Sequence, residues 1–123
     1  MSKYIHLVFN TKYRLNTISA ELMRCFQDCF KEYLSRQSIE MLACNGHQNH
    51  IHLLIKFDKD IDLPKIVQAL KGGVARQINI SRPNEDKFKW SVGYFAQRIN
   101  YSRVYDLIGY IENQKEHHKK APD

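Results

Sequence analysis

The chain has no CxxC pair and only three cysteines, Cys25, Cys29 and Cys44, an odd number at spacings that suit neither a disulfide framework nor a zinc finger. It also lacks an apolar run long enough to span a bilayer and a signal-peptide core near Met1. No internal repeat or linker interrupts it. These absences lead us to expect one soluble, cytoplasmic domain spanning 1–123, large enough to bury a core and too small for two.

What is present is a basic chain of ordinary globular composition, 43% hydrophobic and 26% charged, with a formal charge of +6. Lysines and arginines are interleaved with Tyr, Phe and Trp, a mixture that suits nucleic acid better than lipid, although a solvated basic surface would give the same net charge.

Alternation from Tyr4 to Thr11 predicts a first strand, with Ile5, Leu7 and Phe9 on one face and Tyr4, His6 and Val8 on the other. Asn16-Thr17 can cap a helix from about Ile18 to Arg36, whose apolar stripe includes Leu22, Cys25, Phe26, Cys29, Phe30 and Tyr33. A second strand runs from Ile39 to about Gly46, a turn over Gly46–Asn49 follows, and a third strand ends near Phe57. Asp62 and Pro64 mark the start of a second helix with Ile66, Val67, Leu70, Val74 and Ile78 inward. Gly72-Gly73 weakens it, as if something approached closely there. Ser81–Lys89 reads as a mobile loop, Trp90–Ile99 as a fourth strand, and Ser102 as the cap of a last helix from Arg103 to about Lys119. This order predicts an α+β fold, a ferredoxin-like split βαβ sandwich with two helices on one face of an antiparallel sheet and an added C-terminal helix.

Two features carry chemistry. In Asn49-His50-Ile51-His52-Leu53-Leu54-Ile55 the period of two puts His50 and His52 on one face and Ile51, Leu53 and Ile55 on the other. On the last helix Tyr110 and Gln114 stand one turn apart, flanking the stripe of Val104, Leu107, Ile108 and Ile111. Alone, the pair is equally what the edge of any packed helix shows.

Together with Val8-Phe9-Asn10-Thr11-Lys12-Tyr13-Arg14, Ile66-Val67-Gln68-Ala69-Leu70-Lys71-Gly72, Trp90 and Gly93-Tyr94-Phe95, these segments resemble the HUH-motif single-tyrosine transposases. That family comprises small insertion-sequence transposases and the REP-associated tyrosine transposases. The resemblance implies that Tyr110 is the nucleophile and that His50, His52 and Gln114 hold a divalent metal, Mg²⁺ or Mn²⁺, with Zn²⁺ or Ni²⁺ compatible in vitro. It implies attack on single-stranded DNA at hairpin-containing element ends, a 5′-phosphotyrosine intermediate, later strand transfer, and a homodimer in a prokaryotic cytoplasm, on the nucleoid when DNA-bound. Gln114 where related initiators carry a second tyrosine favours the single-tyrosine branch.

Lys12, Arg14, Lys71 and Arg76 are candidate phosphate contacts, and Tyr13, Tyr94 and Trp90 candidate stacking residues. His6 and His47 can approach the site but read as structural, and His117-His118 as a solvated helix end. A domesticated nuclease cutting repeated palindromes, and a noncatalytic single-strand binding module, are the alternatives.

Overall fold

A computed structural model describes residues 1–114. Four strands, β1 (Lys3–Asn10), β2 (Glu40–His47), β3 (His50–Phe57) and β4 (Phe95–Arg98), form an antiparallel sheet in the order β2-β3-β1-β4. The helices α1 (Ala20–Arg36), α2 (Leu63–Gln68) and α3 (Val74–Ser81) cover one face, and α4 (Val104–Glu112) packs on β2 and β3 from the other. This is the ferredoxin-like split βαβ sandwich with an added C-terminal helix. Among the described residues no helix is long and apolar enough to cross a membrane.

Strand alternation builds two cores. Leu7, Phe9, Ile51, Leu53, Ile55 and Phe57 point beneath α1 to α3, where Phe26, Phe30, Leu70 and Val74 meet them. Tyr4, Ala43 and Leu54 point the other way and meet Val104 and Ile111 of α4. The histidines therefore share their face with α4 and not with the larger core.

Several boundaries differ from expectation. Ser19, not Asn16-Thr17, caps α1, its hydroxyl accepting from Leu22 N at 3.1 Å. Cys25 is exposed, and the stripe is instead widened on its other flank by the buried Met23 and Leu34. The hairpin turn is only Gln48-Asn49, because His47 already pairs with His50. Gly46 lies inside β2, where a Cβ would fall 2.1 Å from the His50 carbonyl oxygen.

The second helix divides at a π segment, Ala69–Gly73, between α2 and α3. Within it a Cβ on Gly72 or Gly73 would meet nothing within 4 Å, so close packing is not what those glycines serve. Ser81–Lys89 is tied down near its end: Phe88 is buried, and the Asn79 amide both accepts from its N–H at 2.7 Å and donates to its carbonyl at 3.1 Å.

The fourth strand is shorter than expected. Trp90 makes one bridge to Thr11, and Gly93 takes φ +84°, which bends the chain away from the ladder. The Ser91 and Gly93 carbonyls bond to the Lys71 ammonium instead of a neighbouring strand. Asn100 rather than Ser102 supplies the cap before α4, accepting from Ser102 N at 3.0 Å over a short 3₁₀ turn, Tyr101–Arg103. The helix expected to reach Lys119, and the His117-His118 pair, run outside the described residues.

Candidate active site

The hairpin and α4 build the site together. Two-residue periodicity on β3 sets His50 and His52 side by side on the α4 face, with ring centroids 5.1 Å apart and planes at 84°. Both are nearly buried, at 7% and 9% exposure. The Asn45 amide, on β2 opposite His52, donates to the Glu112 carbonyl at 3.0 Å and ties the end of α4 to the sheet.

That docking brings the expected third and fourth members over the histidines. The Gln114 amide oxygen Oε1 lies 3.2 Å from His50 Nε2, and the residue is 1% exposed. Its Nε2 donates to the Tyr110 carbonyl at 3.2 Å, which orients the amide with oxygen toward the imidazole. The Tyr110 ring stands at 88° to His52 with centroids 5.8 Å apart, and at 45% exposure it is open to a large substrate.

The other ring nitrogen of His50, Nδ1, faces Asn49 Oδ1 at 2.8 Å. A neutral imidazole carries one ring proton, and with that proton assigned to Nδ1 its Nε2 presents a lone pair beside the Gln114 oxygen. Two donor atoms about 3 Å apart form the edge of an octahedron with bonds of roughly 2.1 Å, so imidazole and amide here fit a divalent cation. Among the described residues no group of three His, Cys, Asp or Glu side chains is placed to hold a metal ion by itself. The Gln114 amide oxygen is a further donor atom beside His50.

Sequence reasoning let His6 approach the site but read it as structural, and its Nε2 lies 2.9 Å from His52 Nδ1, with the ring planes 17° apart. Burial lowers the pKa of its imidazole below the ordinary value, which favours the neutral ring. The face assignment of β1 contained this signal, but the register that sets Val8 opposite His52 did not appear in the sequence. Asn49 and Asn45 were likewise legible only as turn and strand residues. His47 faces His50 across the hairpin.

The expected DNA contacts separate into three groups. Lys12, Tyr13 and Arg14 form an exposed 3₁₀ turn one residue after Asn10, the residue opposite His50, and the intervening Thr11 N bonds to the Asn49 carbonyl at 3.0 Å. Tyr13 and Arg14 hold left-handed backbone at φ 58° and 54°, with the Lys12 ammonium 5.4 Å from the Tyr13 ring centroid. Arg76 is exposed on α3, in the layer across the sheet from the histidines. The Lys71 ammonium is spent on the Ser91 and Gly93 carbonyls, and partial burial lowers its pKa. Trp90 packs among Phe9, Phe26 and Phe88, so it belongs to the core and not to a base-stacking surface. Tyr94 is partly exposed beside Phe9.

Residues 1–114 match the family described as Transposase IS200 like. The ISDra2 transposase TnpA of Deinococcus radiodurans is 25% identical over 114 residues, covering 89% of this chain and 81% of that protein. A crystal structure of a transposase from Deinococcus radiodurans R1 aligns with TM-score 0.72 at 24% identity, over 93% of this chain and 92% of the other. A REP-associated tyrosine transposase bound to a REP hairpin aligns with TM-score 0.75 at 12% identity, over 97% of this chain and 70% of the other. These two structural likenesses speak for the fold; the family match runs through every described residue. The chain belongs to the IS200-like transposases, HUH-motif enzymes of single-stranded DNA nicking and strand transfer.

Proposed function

We propose that this chain, working as one HUH-type domain over 1–123, cleaves single-stranded DNA by attack of the Tyr110 hydroxyl on a phosphodiester. The observation that carries the reading is the burial of Gln114 against His50 with Tyr110 one helical turn away, beside His52. The Tyr110 oxygen bonds to phosphorus as the P–O3′ bond breaks. The phenol gives up its proton, the departing oxygen takes one, and the products are a 5′-phosphotyrosine and a free 3′-OH. Since the linkage keeps the phosphodiester energy, another 3′-OH reverses the step on a new strand without ATP.

A phenol with an ordinary pKa near 10 is a weak nucleophile at neutral pH, so the step needs position and charge stabilisation. A divalent metal, Mg²⁺ or Mn²⁺, held by His50, His52 and Gln114 would polarise the scissile phosphate. Asn49 and the Tyr110 carbonyl orient two of those ligands, His50 and Gln114. The Lys12–Arg14 turn offers two cations and the Tyr13 ring to the strand entering near His50. Arg76, across the sheet, serves a more distant phosphate.

A hairpin-containing element end is the substrate favoured here, by analogy with the similar structure bound to a REP hairpin. Only Ile99-Asn100 separates β4 from the turn before α4, and Ile99 N bonds to the Tyr4 carbonyl at 2.9 Å, which favours use of Tyr110 within its own chain. A homodimer then joins two complete sites without exchanging tyrosines.

The test is cleavage of single-stranded copies of the gene's own flanks, with and without Mn²⁺. The reading expects Mn²⁺-dependent nicking that is lost in His50→Ala. Binding that is indifferent to metal, with no nicking, would favour a noncatalytic single-strand binding module.

A further inference from the structure

His6 and His52 sit diagonally on one face of the sheet, because His6 pairs with Leu54 while Val8 pairs with His52. Their ring centroids are 5.1 Å apart and nearly parallel, and His6 Nε2 lies 2.9 Å from His52 Nδ1. Phe95 of β4 meets the His6 ring edge to face at 5.6 Å, so neighbouring strands on both sides hold it.

One proton occupies the line between His6 Nε2 and His52 Nδ1. If His6 supplied it, the proton of a neutral His52 would sit on Nε2 and that nitrogen would have no lone pair to offer a cation. If His52 supplies it, Nε2 keeps its lone pair.

We propose that His6 is a positioning residue: it accepts the Nδ1–H of His52 and thereby holds His52 Nε2 as the ligating nitrogen of the site formed with His50 and Gln114. The inference rests on the metal reading above. His6 takes the place behind a metal-binding histidine that a carboxylate or backbone carbonyl commonly fills, and as a neutral acceptor it adds no charge. On His50 the corresponding place belongs to Asn49 Oδ1. The two ligands are thus oriented by neighbours from different parts of the chain, one local and one from β1.

The test uses the full chain labelled with ¹⁵N at pH 7.5, with imidazole ¹H–¹⁵N correlations recorded without metal and Mn²⁺ affinity measured by electron paramagnetic resonance. His6→Phe keeps an aromatic ring beside Phe95 and removes the acceptor, whereas His6→Gln returns an oxygen near the position of Nε2. We expect the Nδ1–H tautomer for His52 in the parent, an Mn²⁺ affinity at least about tenfold weaker in His6→Phe, and recovery of most of that loss in His6→Gln. An Nε2–H tautomer in the parent overturns the inference, whether or not His6→Phe folds. So does parental Mn²⁺ affinity in a folded His6→Phe, or a His6→Gln protein as weak as His6→Phe. A parent that binds no Mn²⁺ overturns the metal reading, and this inference with it.

Discussion

Gln114 places its amide oxygen 3.2 Å from His50 Nε2 across a separation of 64 residues. Both ends of that amide are committed, since its nitrogen donates to the Tyr110 carbonyl. The same side chain therefore links the histidine hairpin to the backbone of the tyrosine.

Gln114→Ala removes the oxygen beside His50 and opens a small void in a buried position. Mn²⁺ affinity is expected to fall at least about tenfold and stability by about 1–3 kcal/mol, from the lost hydrogen bond and packing. Metal titration and urea unfolding measure the two effects separately. Unchanged metal affinity in the folded variant would remove Gln114 from the ligand set.

Gly46→Ala tests how the hairpin presents His50. The added Cβ would meet the His50 carbonyl oxygen and the Ile51 Cα, both backbone atoms that cannot swing aside. We expect a loss of about 1–3 kcal/mol by thermal or urea unfolding, as for overpacked cores, together with weakened metal binding. Gly73→Ala, where nothing lies within 4 Å of the new Cβ, is the matched control and should leave both within error or improve stability slightly.

The contrast between those glycines shows what the sequence could convey. Periodicity was enough to assign His50 and His52 to one face, to give Leu22, Phe26 and Phe30 to the buried side of α1, and to give Val104 and Ile111 to that of α4. A glycine beside a turn looks like a turn residue, however, and only the observed register reveals that Gly46 is a strand residue pressed against another backbone. The β4 boundary was hidden for a similar reason. Lys71 satisfies the Ser91 and Gly93 carbonyls from a distant helix, and local pattern carries no record of such a bond. His6 could be assigned a face but not a partner, because diagonal neighbours depend on strand order and register together.

Tyr13 is 80% exposed on a turn whose backbone is already fixed in the left-handed region, so it presents a ring with little left to order. Tyr13→Ala should weaken binding to a single-stranded oligonucleotide by about 1–3 kcal/mol, the usual worth of one stacked base. Lys12→Ala should lower the salt dependence of binding by close to one phosphate contact. Fluorescence anisotropy across a salt series distinguishes the two, and equal effects of both variants on the salt slope would contradict the division of roles.

Burial pushes the Cys44 thiol up to about 12 from its ordinary value near 9. Because the folded state resists ionisation that the unfolded chain undergoes, this group contributes stability that is full below pH 9 and lost as pH rises toward 12. Relative to Cys44→Ala, the parent should lose up to about 1.4 kcal/mol per pH unit in that window by urea unfolding. Native alkylation at pH 8 should label exposed Cys25 well before Cys44. Parallel stability curves for parent and variant would contradict the assignment.

The most direct test of the account is the covalent bond itself. Incubated with Mn²⁺ and a single-stranded copy of the gene's own flank, the parent should yield a protein–DNA adduct that peptide mass spectrometry maps to Tyr110, while Tyr110→Phe yields none. An adduct formed equally well by Tyr110→Phe, or mapped to another residue, would contradict the assignment of Tyr110 as nucleophile.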